Sequence, residues 1–261
     1  MRFLFLGDIV GQPGFDAVRS NLPQIIEQNH LDAVIANAEN SSNGSGLSPY
    51  QFRELTRCGV DVITMGDHIY RVKELIQCLE DSDQIVKPAN FPRKASGLRW
   101  TTTETAAGKL AVISLIGRVY MKPCDCPFAA IDEVLEEIAN QTRYILVDFH
   151  AEATGEKQTL GRYLDGHVTA VLGTHTHVTT ADEMILPKKT AYQSDVGMCG
   201  SHESILGRSI SNVIEASTTM IPKPFYVSNK DVQLHGTIVE ADSEGSAVGI
   251  QRFIFKEENS D

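Results

Sequence analysis

Short runs of apolar, β-favouring residues recur along the chain, and polar loops and helical patterns separate them. Within each run the apolarity is continuous rather than alternating, which is typical of strands that are covered on both faces. This pattern predicts a layered α/β fold in which helices cover the sheets. The runs comprise residues 3–6, 33–36, 62–65, 111–115, 144–147 and 168–172.

Two helices are indicated between these runs. Ser48 precedes Pro49, and Gln51 stands at the third helical position, which together are the signature of a capping box. Gly59 marks the end of that helix. Residues 128–140 place apolar side chains at helical spacing with acids on the opposite face, which predicts an amphipathic helix.

The C-terminal part of the chain has a different periodicity. Residues 232–239 and 247–255 alternate between apolar and polar, and the turn-forming residues 242–245 lie between them. This alternation predicts an antiparallel hairpin that ends the sheet. The 261 residues contain no repeat, low-complexity tract or linker, so we expect a single domain spanning residues 1–261 with a frayed polar tail at 256–261.

The chain is acidic, with 23 Lys and Arg residues against 34 Asp and Glu, for a formal charge of −11. Binding to duplex nucleic acid or to an anionic membrane needs clustered basic residues, so we expect neither partner. If the substrate is an anion, bound metal ions are the expected source of positive charge.

The N-terminal apolar run and the cysteines bear on location. The run meets Asp8 too early for a signal peptide, and no run has the roughly 18 apolar residues of a membrane span. The five cysteines are odd in number, which favours reduced thiols and a cytoplasmic protein. Cys124 and Cys126 form a lone C-x-C pair, which we interpret as two free thiols rather than a zinc site.

Acids, amides and histidines follow the ends of five predicted strands. In an open α/β sheet the carboxyl ends of the strands line the ligand crevice. Any one such residue is usually a turn, cap or structural residue, but their coincidence at five strand ends predicts a functional site. The side chains delivered to this rim are those of Asp8, Glu39, Asn40, Asp67, His68, His150, His175 and His177.

These residue types suit a centre of two metal ions. Imidazole and carboxylate ligands together favour Fe, Mn or Zn over Mg or Ca. His175 and His177 lie two residues apart, so in an extended segment both rings would face the same side. Glu39 could bridge two ions about 3.5 to 4 Å apart, and such a pair supplies a hydroxide nucleophile for phosphoryl chemistry at neutral pH.

Several blocks of the sequence resemble the bacterial YmdB-like metallophosphoesterases. The blocks follow one another in the family's order between residue 1 and about residue 207, and their combination is specific. They are Gly7-Asp8-Ile9-Val10-Gly11, Asn37-Ala38-Glu39-Asn40, Met65-Gly66-Asp67-His68, Gly117-Arg118, Asp148-Phe149-His150-Ala151-Glu152-Ala153-Thr154, Gly173-Thr174-His175-Thr176-His177-Val178, Thr190-Ala191-Tyr192 and Asp195-Val196-Gly197-Met198-Cys199-Gly200.

The resemblance implies a calcineurin-like fold, a four-layered α/β/β/α sandwich, around two Fe, Mn or Zn ions, with iron the first expectation. It also implies a homo-oligomer that hydrolyses small phosphodiesters, either 2′,3′-cyclic or 3′,5′-cyclic nucleotides, through a metal-bridging hydroxide. His68 would be the unligated general acid that protonates the leaving ribose oxygen, a task that suits a pKa near neutrality. One metal would be held by Asp8, Glu39, Asn40 and His177, and the other by Glu39, Asp67, His150 and His175.

Position 67 departs from the family pattern. The family motif reads Gly-Asn-His where this chain has Gly66-Asp67-His68. Aspartate can still ligate a metal through oxygen, but it adds a third carboxylate to those of Asp8 and Glu39. We therefore expect weaker attraction for an anionic substrate and reduced turnover.

Two other functions stay open on the sequence alone. A phosphomonoesterase would use the same centre, and a metal-loaded regulatory protein would use it with little turnover because of Asp67. Around the centre, Thr176 and Asn37 are predicted to support the ligands. Arg118 is expected either to bind phosphate or to pair with an acid. Residues 43–46 would either contact the substrate through backbone amides or form a sharp turn.

Overall fold

The computed structural model describes residues 1–256 of the chain. The helices in that range are α1 (Gly11–Asn29), α2 (Pro49–Arg57), α3 (Leu75–Asp81), α4 (Pro127–Ile138), α5 (Thr154–Tyr163) and α6 (Ile210–Thr219). The strands are β1 (Arg2–Leu6), β2 (Asp8–Ile9), β3 (Ala33–Asn37), β4 (Val62–Thr64), β5 (Ile85–Val86), β6 (Trp100–Thr105), β7 (Gly108–Ile116), β8 (Tyr144–His150), β9 (Ala170–Thr174), β10 (Met184–Ile185), β11 (Ala191–Gln193), β12 (Met198–Ser201), β13 (Val232–Ala241) and β14 (Ala247–Lys256).

The strands form two sheets. The first has the order β2-β12-β13-β1-β3-β4-β5, with β14 paired to β13, and the second has the order β10-β11-β9-β8-β7-β6. Strands β1, β3, β4 and β5 run parallel to one another, as do β7, β8, β9 and β11. In each parallel set the carboxyl ends of the strands therefore share one edge of the sheet.

The two sheets pack face to face and helices cover their outer faces. Phe3 and Phe5 belong to a core shared with residues of the second sheet such as Val112, whereas Leu4 and Leu6 belong to a core shared with helices α1 to α3. A third core joins the outer face of the second sheet to α4 and α5. Successive residues of one strand thus enter two different cores, which explains the continuous apolarity and confirms the four-layered α/β/β/α sandwich.

The local signals that the sequence offers are mostly confirmed. Helix α2 begins with the expected capping box, in which the Gln51 amide donates to Ser48 Oγ at 3.2 Å and the Ser48 amide donates to Gln51 Oε1 at 3.3 Å. Gly59 follows its last turn with a φ of 113°. Helix α4 begins one residue before the expected range and ends two residues before its end.

The C-terminal hairpin is also confirmed. β14 pairs with β13 along its length, while β1 and β12 pair with successive parts of β13, so the hairpin lies at the end of this sheet. Of the tail expected to fray, only Lys256 is described, as the last residue of β14; positions 257–261 lie outside the described residues.

Some elements carry no clear signal in the sequence. Helix α1 begins among glycines and contains Pro23, both of which disfavour a helix interior, yet it buries Phe15 and Leu22 against the first sheet. The short strands β10 to β12 and helices α3, α5 and α6 were likewise not predicted. Among residues 1–256, no helix is long and apolar enough to cross a membrane.

Candidate metal centre

The structure brings all eight predicted side chains to one place, where the carboxyl ends of the parallel strands of the two sheets meet. The second sheet supplies His150, the last residue of β8, together with His175 and His177, which follow β9. The first sheet supplies Asp8 in β2, Glu39 and Asn40 after β3, and Asp67 and His68 after β4.

Asp8, Asn40 and His177 form one side of the cluster. Asn40 Nδ2 lies 3.1 Å from Asp8 Oδ1 and 3.2 Å from His177 Nε2, and His177 Nε2 lies 3.7 Å from Asp8 Oδ1. The second carboxylate oxygen of Asp8 accepts a 2.9 Å hydrogen bond from the His175 amide, which joins this side to the β9 turn. Asp8 also offers a ligand atom within 4.8 Å of those of Glu39 and His150.

Glu39, Asp67, His150 and His175 form the other side. His150 Nε2 lies 3.2 Å from Glu39 Oε1, 3.6 Å from Asp67 Oδ1 and 3.1 Å from His175 Nδ1. Gly66 makes this approach possible, because a Cβ at that position would overlap the His150 ring and the Glu39 carboxylate. Position 66, shortly after β4, therefore has to be glycine for His150 and Glu39 to approach each other.

His68 stands between the two sides. Its Nδ1 lies 2.8 Å from Asn40 Oδ1 and 3.2 Å from Glu39 Oε1, and its backbone amide donates to Glu39 Oε2 at 2.9 Å. Its Nε2 lies 3.9 Å from Asp67 Oδ2, and a quarter of the side chain is exposed. The contact with the Glu39 carboxylate raises the pKa of His68. This shift favours the protonated form of the ring, which lines the opening of the cluster.

The donor set fits bound cations. Glu39 Oε1 and Asp67 Oδ1 are buried and make no hydrogen bond of regular geometry, and imidazole nitrogens of His68 and His150 lie only 3.2 to 3.6 Å from them. Burial would raise the pKa of Glu39 and lower that of His150, but the charges facing each other reverse both shifts, so that the pKa of Glu39 is lowered and that of His150 is raised. The carboxylates of the cluster thus stabilise positive charge on the imidazole rings. Metal cations would take the place of the imidazole protons and carry that positive charge instead.

The turn after β9 differs from the extended segment that the sequence suggested. His175 has a φ of 98° and His177 a φ of 63°, so both lie in the left-handed region that L residues rarely adopt. The two rings reach the same site through this sharp turn, and the expectation of an extended backbone was wrong. Such a turn persists only where its surroundings hold it.

Lys157 and Asp195 hold that turn from behind. Lys157 Nζ lies 2.8 Å from Asp195 Oδ2 and donates to Thr174 O at 2.8 Å, and both charged side chains are almost fully buried. Asp195 Oδ2 also accepts hydrogen bonds from the amide and hydroxyl of Thr176, while Oδ1 accepts one from the Gly197 amide. The pair therefore binds the backbone on both sides of His175.

Asp148 supports His150 through a network of buried side-chain hydrogen bonds. Its carboxylate accepts hydrogen bonds from Thr64 and Thr174 at 2.6 Å each and from Asn37 at 3.1 Å. Thr174 Oγ1 in turn lies 3.0 Å from His150 Nδ1, so that Nε2 faces the cluster. Burial raises the pKa of Asp148 to about 6. Asn37 and Thr176, the expected supports, both lie in these hydrogen-bond networks.

A cavity of about 400 Å³ opens onto the cluster. Its polar wall contains Asn40 and the histidines, and its other wall is apolar. The residues that line it are Glu39, Asn40, Gly44, His68, Glu152, His175, Thr176, His177, Ile205, Leu206, Arg208, Val213 and Phe225. The lining residues between positions 205 and 225 do not follow any of the strands that the sequence predicts, so nothing in the sequence signalled them.

Two further candidates have different places. Arg118 does not line this cavity, and its backbone amide donates to Glu156 Oε1 at 2.9 Å. Residues 43–46 form a turn with positive φ at Asn43, Gly44 and Gly46, and the carbonyls of the first two accept hydrogen bonds from Arg208. The turn therefore borders the cavity through Gly44 and is fixed by Arg208.

Comparisons with known proteins agree with this geometry. A family model described as YmdB-like protein matches residues 4–253. A 2′,3′-cyclic-nucleotide 2′-phosphodiesterase of Bacillus subtilis (strain 168) is 42% identical over 260 residues, which cover 99% of this chain and 98% of that protein.

Two solved structures are also similar over their whole length. A hypothetical protein from Thermus thermophilus superposes with a TM-score of 0.93 at 40% identity, covering 99% of this chain and 100% of the other. A phosphatase from Mycoplasma pneumoniae superposes with a TM-score of 0.92 at 32% identity, covering 100% and 95%. The family match, the identities and the shared fold confirm the resemblance seen in the sequence: the chain belongs to the YmdB-like family.

Proposed function

We propose that this chain is a metal-dependent phosphodiesterase that hydrolyses small phosphodiesters, with 2′,3′-cyclic nucleotides as the first expected substrates. The observation that carries the proposal is the arrangement of two groups of ligand candidates that meet at Glu39 and open onto one cavity with His68. The name of the Bacillus subtilis relative supports the choice of substrate.

Two transition-metal ions would occupy the centre, with iron expected and manganese or zinc as alternatives. Asp8, Asn40 and His177 would hold one ion, Asp67, His150 and His175 the other, and Glu39 both. When bound, the ions would supply positive charge for the phosphate oxygens and lower the pKa of water to provide a nucleophile. The chain carries a formal charge of −11, and the bound ions would offset negative charge at the site.

The remaining chemistry falls to His68. Asn40 and Glu39 fix the ring through Nδ1, which leaves Nε2 free of both contacts. The contact with Glu39 raises the pKa of His68 and so favours the protonated ring, from which Nε2 would donate its proton to the leaving ribose oxygen. Loss of such a proton donor typically lowers the rate by about 10²- to 10⁴-fold.

The proposal is tested by measuring metal content together with hydrolysis of bis-p-nitrophenyl phosphate and of the corresponding monoester. We expect close to two metal ions per chain and cleavage of the diester, with His68→Ala retaining the metals and losing the activity. His167→Ala, at an exposed histidine, is the matched control. A protein that purifies without metal and recovers no activity with Fe, Mn or Zn would refute the proposal.

One observation favours a second candidate. The similar Mycoplasma pneumoniae structure is described as a phosphatase, and a phosphomonoesterase would use the same ligands. Faster cleavage of the monoester than of the diester would decide for that activity. Full metal occupancy without hydrolysis of either substrate would instead favour a regulatory protein.

A further inference from the structure

We propose that the apolar wall of the cavity is a nucleobase subsite, in which Phe225 and Leu206 contact the base of the substrate. The inference deepens the proposed function and rests on it for the position of the phosphate. The wall comprises Ile205, Leu206, Val213 and Phe225, all of which line the same cavity as the ligand candidates.

The wall is unusual for an exposed surface because large apolar side chains face solvent beside a highly polar cluster. Leu206 and Phe225 each remain 48% exposed. Helix α6, which supplies Val213, buries none of its residues. Exposed apolar surface that borders a polar site is typical of a ligand pocket, and the volume of about 400 Å³ is of the size that small ligands occupy.

Hydrogen bonds fix the wall relative to the cluster. His177 Nδ1 lies 3.2 Å from the Leu206 carbonyl, so the same ring faces Asp8 on one side and the wall on the other. Arg208 Nη1 donates to the carbonyls of Asn43 and Phe225 at 2.9 and 3.1 Å, and Nη2 donates to Gly44. A ligand whose phosphate lies at the cluster therefore meets a preformed apolar surface next to it.

The chemistry of the wall indicates which part of a nucleotide it takes. The base is the large, flat, weakly polar part of a cyclic nucleotide, and aromatic side chains bind bases by stacking. The four apolar side chains offer no hydrogen-bond donor or acceptor, and the terminal nitrogens of Arg208 are engaged with backbone carbonyls. The subsite should therefore accept all four bases with little discrimination, because every base has a face that can stack.

The test is binding of adenosine 3′-monophosphate to the metal-loaded protein, measured by calorimetry, beside binding of ribose 3-phosphate, which lacks the base. Phe225→Ala should weaken adenosine 3′-monophosphate roughly 5- to 100-fold and leave ribose 3-phosphate unchanged. Phe225→Trp should restore affinity. Tyr226→Ala is the matched control, since Tyr226 is the adjacent exposed aromatic residue and lines a different cavity.

The inference would be overturned if the wild-type protein bound the two ligands with equal affinity, or if Phe225→Ala weakened both ligands equally. It would also be overturned if Tyr226→Ala weakened adenosine 3′-monophosphate as much as Phe225→Ala does. Kinetics separate this inference from the proposed function. A protein that binds the nucleotide through Phe225 but cleaves no diester supports the subsite and contradicts the phosphodiesterase. One that cleaves cyclic nucleotides and base-free ribose 2,3-cyclic phosphate equally well, with no effect of Phe225→Ala, contradicts the subsite alone.

Discussion

Breaking the buried pair of Lys157 and Asp195 should damage both the stability of the protein and its metal affinity. The charged atoms are 2.8 Å apart and their side chains are 2% and 1% exposed, so water cannot replace a lost partner. Removing one member of such a pair costs about 3–5 kcal/mol, whereas replacing both is often neutral. We expect Lys157→Met to lower the free energy of unfolding by about 3 kcal/mol or more.

The double variant Lys157→Met/Asp195→Asn separates stability from positioning. It removes both charges, and the asparagine oxygen can still accept a hydrogen bond from Thr176, so much of the unfolding free energy should return. Metal affinity should stay about 10- to 100-fold below that of the wild type, because the turn has lost its double anchor. Arg162→Met, which removes an exposed charge from the same helix, should change neither quantity.

Urea denaturation of the metal-free protein measures the first quantity, and calorimetric titration with Mn²⁺ measures the second. A coupling energy between the two positions below about 0.5 kcal/mol would show that the pair is not energetically linked. Wild-type metal affinity in Asp195→Asn would refute the positioning role even if stability fell. Either result would leave the left-handed conformation of the histidine turn without the support that we assign to it.

Three further predictions concern separate parts of the molecule. Asp67→Asn should raise turnover and lower the pH optimum, because it removes one of three carboxylates. Lys122→Gln should lower turnover and raise the pH optimum, because it removes a positive charge 3.6 Å from the Asp67 carboxylate. Burial of His235, together with the stacked ring of His202, lowers the pKa of His235 to about 4. Below about pH 6.5 the unfolded chain therefore binds more protons than the folded one, and the free energy of unfolding should fall between pH 6.5 and 4. His235→Gln should flatten that pH dependence in urea denaturation. Gly66→Ala should cut Mn²⁺ affinity more than about 10-fold in calorimetry, whereas Gly155→Ala, with open space around its Cβ, should not.

The ligand candidates could be predicted because each lies at or shortly after the end of a strand that the sequence reveals. Residues buried on both faces need apolar side chains at consecutive positions, so the point where apolarity gives way to Asp67 or His150 marks a strand end. Parallel strands bring those ends to one edge, which converts a sequence pattern into a spatial cluster. The layered α/β class was predictable for the same reason, whereas the four-layered form followed from the resemblance to the YmdB-like family.

The supports of the cluster could not be predicted in this way. Lys157 lies in a helix that the sequence signals poorly, and its partner Asp195 is 38 residues further on, between two short strands. The sequence reveals that a charged residue is buried only if its partner is known, and packing rather than periodicity determines that partner. The left-handed turn at His175 was missed for a related reason, since backbone of this kind is imposed by tertiary contacts and not by local preference.

On the proposed function, the same distinction should separate chemistry from substrate preference in this chain. The ligand candidates lie at the ends of strands that also form the core, so their positions are constrained by the stability of both sheets. The apolar wall between residues 205 and 225 lies outside those strands, and helix α6 within it buries no residue. Substitutions there cost little core packing, because exposed side chains have little apolar contact to lose. Substrate preference should therefore change through Leu206, Val213 and Phe225 while the metal centre stays the same, in keeping with the general placement of specificity on segments carried by a rigid scaffold.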